Sequence, residues 1–147
     1  MSIKTRLQEE QKLAMRAKDK VRLKTIRSLI AAVKQIELDD KVELDNDAVT
    51  AVVVKSVKQR KDSISQFEKA ERTDLVDIEK MELVILEEFL PQALTSEEVE
   101  AHIKQAIAAV DAQGMQDMGK VMGILQKEIQ GRADMGSVSG LVRAHLK

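Results

Sequence analysis

The chain of 147 residues contains no cysteine, no tryptophan and no tyrosine. It has one proline, Pro91, and two aromatic residues, Phe67 and Phe89. Without cysteine there is no disulfide framework, no thiolate metal site and no cysteine nucleophile. Strands favour β-branched and aromatic side chains, so the scarcity of aromatics argues against a β fold. A single proline leaves room for long helices. No apolar run approaches the roughly 20 residues that span a bilayer, and no apolar signal core opens the chain. The first residues are basic and helical in pattern, which raises the idea of a transit peptide. Glu9, Glu10 and the scarcity of serine argue against it. The expected location is cytoplasmic.

What the chain does have is charge and helical period. Charged residues make up 33% and hydrophobic residues 44%, which suits a helical protein. The formal net charge of −1 hides an asymmetry. Residues 1–34 hold ten Lys or Arg against Glu9, Glu10 and Asp19, a net of +7. The remainder holds 14 Lys or Arg against 22 acids, a net of −8. A basic end can mark an anionic partner. Alternatively, the basic face packs beside the acidic helices and is balanced by them.

Seven helices are expected. Ser2 caps the first, to about Ala17, with Ile3, Leu7 and Ala14 along one side. Asp19 caps the second, where Leu23, Ile26, Ile30, Val33 and Ile36 recur at spacings of three and four. Leu44, Asp45 and Val49 form a hydrophobic staple that opens the third. Val52, Val53, Val57, Ile64 and Phe67 continue it. Thr73 is the expected cap of the fourth, with Leu75, Ile78, Met81, Ile85 and Phe89 inward. Glu79, Glu82, Glu87 and Glu88 then face water. Leu90-Pro91 ends it, because a residue before proline avoids the helical region.

Thr95 and Glu98 make a capping box for the fifth helix, which carries Val99, Ile103, Ala106, Ile107 and Val110. Gly114 is placed to end it. A sixth runs from about Asp117 to Ile129. Asp134 caps a short seventh with Val138, Leu141, Val142 and His145. The fold class is therefore all-α, with an N-terminal four-helix domain over residues 1–91 and a small three-helix tail domain over residues 92–147.

Glycine is concentrated near the C-terminus, at 119, 123, 131 and 140 among others. Inside a helix each costs about 1 kcal/mol relative to alanine. Gly119 and Gly123 are four apart and share a face, where another helix or a ligand's backbone could come close. Packing is the expectation for Gly123, and binding for Gly119 and Lys120. Methionines 115, 118, 122 and 135 suit either an adaptable contact surface or gap-filling in a small core. The run Lys58 to Ser63, with Lys58, Arg60 and Lys61, reads either as a phosphate-binding face or as a solvated face with local ion pairs.

Catalytic constellations are missing. His102 and His145 have no metal-ligand spacing, and there is no nucleophile elbow, phosphate loop or dinucleotide fingerprint. The adjacent pairs Glu87-Glu88 and Glu97-Glu98 point to different parts of a helix surface, which is poor geometry for paired acid–base work. No catalytic residue, metal or cofactor is assigned.

The chain resembles the YqeY-like family, stand-alone relatives of the GatB tail domain of the glutamine-dependent aspartyl/glutamyl-tRNA amidotransferase. The resemblance covers nearly the whole chain. It is carried by Ala17-Lys18-Asp19-Lys20 with Arg22-Leu23 and Ile26-Arg27, by Lys58-Gln59-Arg60-Lys61-Asp62-Ser63-Ile64 with Phe67, and by Asp74-Leu75-Val76 and Phe89-Leu90-Pro91. Its most specific parts are Asp117-Met118-Gly119-Lys120-Val121-Met122 and Gly131-Arg132-Ala133-Asp134. The family pattern has glycine after the Ala-Asp pair, or proline in the amidotransferase. Here Met135 stands in that place and Gly136 follows, which is compatible with a helix start at Asp134.

The resemblance implies an all-helical, two-part protein whose tail counterpart helps hold tRNA. It also implies the family label of carbon–nitrogen ligase with glutamine as amido donor, although these residues could not hydrolyse glutamine or activate a carboxylate unaided. The first functional reading is a non-catalytic tRNA-binding or amidotransferase-associated module. Gly119, Lys120, Lys127, Arg132 and Arg143 would meet the RNA. Met118, Val121, Met122, Gly131, Ala133 and Asp134 would be structural members of the motif, and Lys58, Arg60 and Lys61 a second polar patch. The shortage of aromatics argues against base stacking and leaves RNA shape and backbone. Neither a membrane nor DNA is an expected partner. The alternative is a protein-interaction or assembly module that binds no RNA.

Overall fold

The structure is a computed structural model that describes residues 2–147. Among them lie seven α-helices and one 3-10 turn, with no strand. The chain divides into two compact units, Met1–Leu90 and Pro91–Lys147.

In the N-terminal unit, α1 spans Ile3–Ala17, α2 Lys20–Asp40, α3 Asn46–Lys69 and α4 Thr73–Glu87. Short polar side chains start three of the four by accepting an otherwise orphaned backbone N–H. Ser2 accepts from Thr5, Asp19 from Arg22 and Asp45 from Ala48. Helix α4 differs from expectation. Its N-cap is Arg72, with no side-chain cap bond, and Arg72 instead forks onto Asp74. Lys18, Lys41 and Glu71 turn the chain between helices in the left-handed region, at φ of 56°, 54° and 56°.

The core of this unit gathers Leu7, Ile26, Leu29, Val33, Val49, Val52, Val53, Val57, Leu86 and Phe89. Full burial of one such side chain stabilises the fold by about 1.5–3 kcal/mol. The inward face of α4 is rotated from the expected one. Val76, Glu82 and Leu86 are its buried residues, while Ile78, Met81 and Val84 are 46%, 53% and 65% exposed. Glu82, expected in water, is only 4% exposed. Its cation partners, described below, make that burial tolerable.

In the C-terminal unit, α5 spans Ser96–Val110, α6 Met118–Ile129 and α7 Met135–Leu146, with a 3-10 turn at Met115–Asp117 before α6. The capping box of Thr95 and Glu98 is formed in both directions. Gly114 does not end α5. Asp111 does, in the left-handed region at φ 49°, and Gly114 is extended. The core is Val99, Ile103 and Ala106 from α5, Val121, Leu125 and Ile129 from α6, and Val138, Val142 and Leu146 from α7. Met118, Met122 and Met135 pack against it partly buried, so they fill gaps, whereas Met115 is exposed.

Candidate functional site

Val121, Leu125 and Ile129 recur every four residues and bury one side of α6. At 3.6 residues per turn the opposite side is Lys120, Gly123 and Lys127, with Gly119 on its flank. All four are exposed. A Cβ built at Gly119 or Gly123 meets nothing within 4 Å. Internal packing therefore requires glycine at neither position, which corrects the packing role expected for Gly123. The same open space surrounds Gly140 in α7.

Lys120 is 71% exposed on its side chain and reaches Asp117 only at 4.0 Å. A pair that open contributes about 0–1 kcal/mol, so Lys120 still presents a positive charge to solvent. Lys127 makes no ion pair among the described residues.

Three of the five residues expected to meet RNA thus share the α6 face: Gly119, Lys120 and Lys127. Arg132 is elsewhere. Its Nε donates to the Gln92 carbonyl at 3.1 Å, and its own carbonyl accepts from the Leu94 N–H at 2.8 Å. It borders a groove with Leu94, Ser96, Val99, Asp134 and Leu141. Arg143 is exposed on α7. The motif Gly131-Arg132-Ala133-Asp134 is a structural turn. Gly131 takes φ 81°, Ala133 packs against the core, and Asp134 caps α7 by accepting from Gly136 N–H and from Ser137 Oγ at 2.8 Å.

The second polar patch is also divided. Lys58 and Lys61 are exposed on α3. Arg60 turns toward α4, with Nε 3.0 Å from Glu82 and 3.5 Å from Glu79. Lys24 of α2 approaches Glu82 at 3.8 Å. Enclosed Arg60 Nε and Glu79 Oε2 make no directed hydrogen bond, so this cluster is held by charge more than by geometry. Hydropathy gives no hint of it. The available sequence signal is the pair Glu79 and Glu82 at helical spacing beside a basic run on the preceding helix.

The N-terminal cations also separate into two groups. Arg22 bonds Glu10 at 2.9 Å and also Glu88, and these partners raise its pKa. Lys4 bonds Glu37. That bond, aided by the Leu44 N–H, holds the Glu37 carboxyl below its usual range. Lys20, Lys24 and Arg27, by contrast, stand on an exposed face of α2 with Leu23, Ser28 and Ala31. The first group is balanced within the fold, and the second stays exposed.

The histidines tie helices of the C-terminal unit together. His102 Nδ1 lies 3.1 Å from Glu128, and His145 Nε2 lies 2.7 Å from Glu100. No group of three or more potential metal ligands exists among the described residues, and no helix there is long and apolar enough to cross a membrane.

Comparison with known proteins adds a family. The family model described as "Yqey-like protein" matches residues 4–146. The chain is 42% identical over 105 residues to "Altered inheritance of mitochondria protein 41, mitochondrial" of Kluyveromyces lactis, covering 69% of this chain and 56% of that protein. It is 39% identical over 99 residues to the protein of the same name from Lachancea thermotolerans, covering 67% and 53%. With that of Pyrenophora tritici-repentis it is 32% identical over 126 residues, covering 84% and 69%. The chain spans little more than half the length of the first two. The expected cytoplasmic location is overturned by these relatives, all named as mitochondrial. Lack of cysteine suits any reducing interior and does not choose among compartments. With a family match running through all seven helices, the chain belongs to the YqeY-like family.

Proposed function

We propose that this chain is a non-catalytic module that binds tRNA, or associates with a tRNA-dependent amidotransferase, through the outward face of α6. One observation carries this reading. Gly123 occupies a helix interior, at about 1 kcal/mol against alanine, and Gly119 stands in the first turn of the same helix, yet no neighbour needs the space they leave. Glycines there allow a backbone from outside to approach, and Lys120 and Lys127 offer charge to phosphates at the same place. Arg132 contributes by shaping the turn before α7, and Arg143 adds a further charge from α7. A carbon–nitrogen ligase activity would then belong to an associated enzyme. We also propose that residues 1–91 and 92–147 act as separate domains, in keeping with the division at Leu90 and Pro91.

The test is a titration with total tRNA at two salt concentrations. Gly119→Leu should abolish approach through bulk while the melting temperature holds or rises, because the side chain enters open space. Lys120→Ala should weaken binding and flatten the salt dependence by about one unit. Parent-like binding by both variants rejects the RNA reading.

The alternative, a protein-interaction module without RNA, draws on the exposed Ile78, Met81 and Val84 of α4. Purified protein that binds no tRNA at low salt would favour it. Contact through such a face weakens little as salt rises, whereas phosphate contact weakens steeply.

A further inference from the structure

The α6 face leaves the cations of α2 without a role. Lys20, Lys24 and Arg27 follow a 4–3 spacing and so stand in one row. They lie on an exposed face of α2, where Ala31 continues the row and Leu23 and Ser28 flank it on either side. The N-terminal unit contains enough acids to neutralise its bases, yet this row is left largely unpaired. Lys20 makes no ion pair among the described residues, Lys24 meets Glu82 only at 3.8 Å with its side chain 76% exposed, and Arg27 reaches the Met15 sulfur at 3.5 Å instead of a carboxylate. Arg22, two residues from Lys20, shows the contrast, since it is fully engaged by Glu10 and Glu88.

We infer that this face of α2 is a binding site for the phosphate backbone of double-stranded RNA. From Lys20 to Arg27 the helix rises about 10 Å at 1.5 Å per residue. The row is thus long enough to meet more than one phosphate of a nucleic-acid strand. The apolar side of α2, with Ile26, Leu29 and Val33, is buried in the core. The helix therefore has no free apolar face to sink into a lipid surface, which an interfacial helix requires. Small side chains at Ser28 and Ala31, beside and beyond the cations, leave this face of the helix unobstructed. Ser28, exposed beside the row, carries a hydroxyl that can exchange a hydrogen bond with a ribose 2′-hydroxyl, the group that distinguishes RNA from DNA.

The site lies in a different unit from the α6 face and does not rest on the tRNA reading. The experiment uses the full chain, a labelled RNA duplex of about 16 base pairs and the same sequence as DNA, titrated between about 50 and 200 mM salt. The variant Lys20→Gln/Lys24→Gln/Arg27→Gln should lose about tenfold or more in affinity and flatten the salt slope by about two to three units. Lys55→Gln/Lys69→Gln, exposed on α3, should bind as the parent does. Because Lys24 also approaches Glu82, the double variant Lys20→Gln/Arg27→Gln reads the same face with that pair intact. Ser28→Ala should narrow the preference for RNA over DNA.

The inference is overturned if the parent shows no salt-dependent binding to the RNA duplex. It is equally overturned if the α2 variants bind unchanged, or if only polyglutamate or phosphatidylserine vesicles are captured. Lys120→Ala/Lys127→Ala is run in parallel. Loss confined to that variant removes the α2 site and leaves the α6 reading standing, and loss confined to the α2 variants does the reverse.

Discussion

The two units treat glycine in opposite ways. The N-terminal unit has none, and the C-terminal unit has all six. Backbone need runs the other way. Lys18, Lys41 and Glu71 of the first unit hold the left-handed conformation that glycine adopts most easily. In the second unit only Gly131 among the glycines has a positive φ, and Asp111 takes another such position itself. Gly119, Gly123, Gly136 and Gly140 sit instead within helices. Glycine here does not follow the demands of the backbone. In α6 it marks a surface where bulk is absent, while in the first unit the turns accept local strain, about 1–2 kcal/mol for a non-glycine residue in that region.

The largest expected effect tests whether the units are separate at all. Leu125→Ala removes a fully buried side chain from the tail core and should cost about 2–5 kcal/mol. Calorimetry should show one transition falling while the other stays. A single transition that moves as a whole would join the units into one cooperative block.

Next is Glu82→Ala, which leaves Arg60 of the first unit without its nearest carboxylate. Loss of a buried partner can cost about 3–5 kcal/mol, but Arg60 remains partly accessible and can rehydrate. The expected loss is about 2 kcal/mol by urea unfolding, with the tail transition unchanged.

A smaller pair of effects addresses glycine itself. Gly123→Ala should stabilise the tail by about 0.5–1 kcal/mol, and Lys18→Gly or Lys41→Gly should stabilise the first unit by a similar amount through relief of the left-handed backbone. Destabilisation by Gly123→Ala would mean that the stripe serves packing after all.

The smallest effect concerns acid. Glu37 has a lowered folded pKa, chiefly through Lys4. Its contribution to stability is fully present above the ordinary carboxylate range and is lost as pH falls through the depressed value. Glu37→Gln should therefore reduce stability at neutral pH and narrow its gap to the parent under acid conditions, read by unfolding curves across that range.

Most helices are legible in the sequence because periodic apolar residues coincide with capping side chains. Asp19, Asp45, Thr95 and Asp134 each cap the helix they are expected to start. The inward face of α4 is not legible, because period alone treats every glutamate as wet. Glu82 is buried by two cations from other helices, Lys24 and Arg60, far away in sequence. The end of α5 falls earlier than expected because Asp111 adopts a conformation usually left to glycine. The α6 face of Gly119, Lys120 and Lys127 can be read from spacing, since one helix carries it. Arg132 cannot be placed that way, because its partners Gln92 and Leu94 come from the start of the tail.

That last contact has a consequence for how the C-terminal unit can be cut and assembled. The turn before α7 fastens the stretch of chain that follows Pro91, by one bond from Arg132 Nε to Gln92 and one from Leu94 to the Arg132 carbonyl. The unit is thus a buckle whose tongue is residues 92–94 and whose catch is residue 132. A tail excised at Thr95, where its first helix is capped, would leave the catch empty. One begun at Pro91 would carry its own closure, and would not complete it until the turn leading into its last helix had been made.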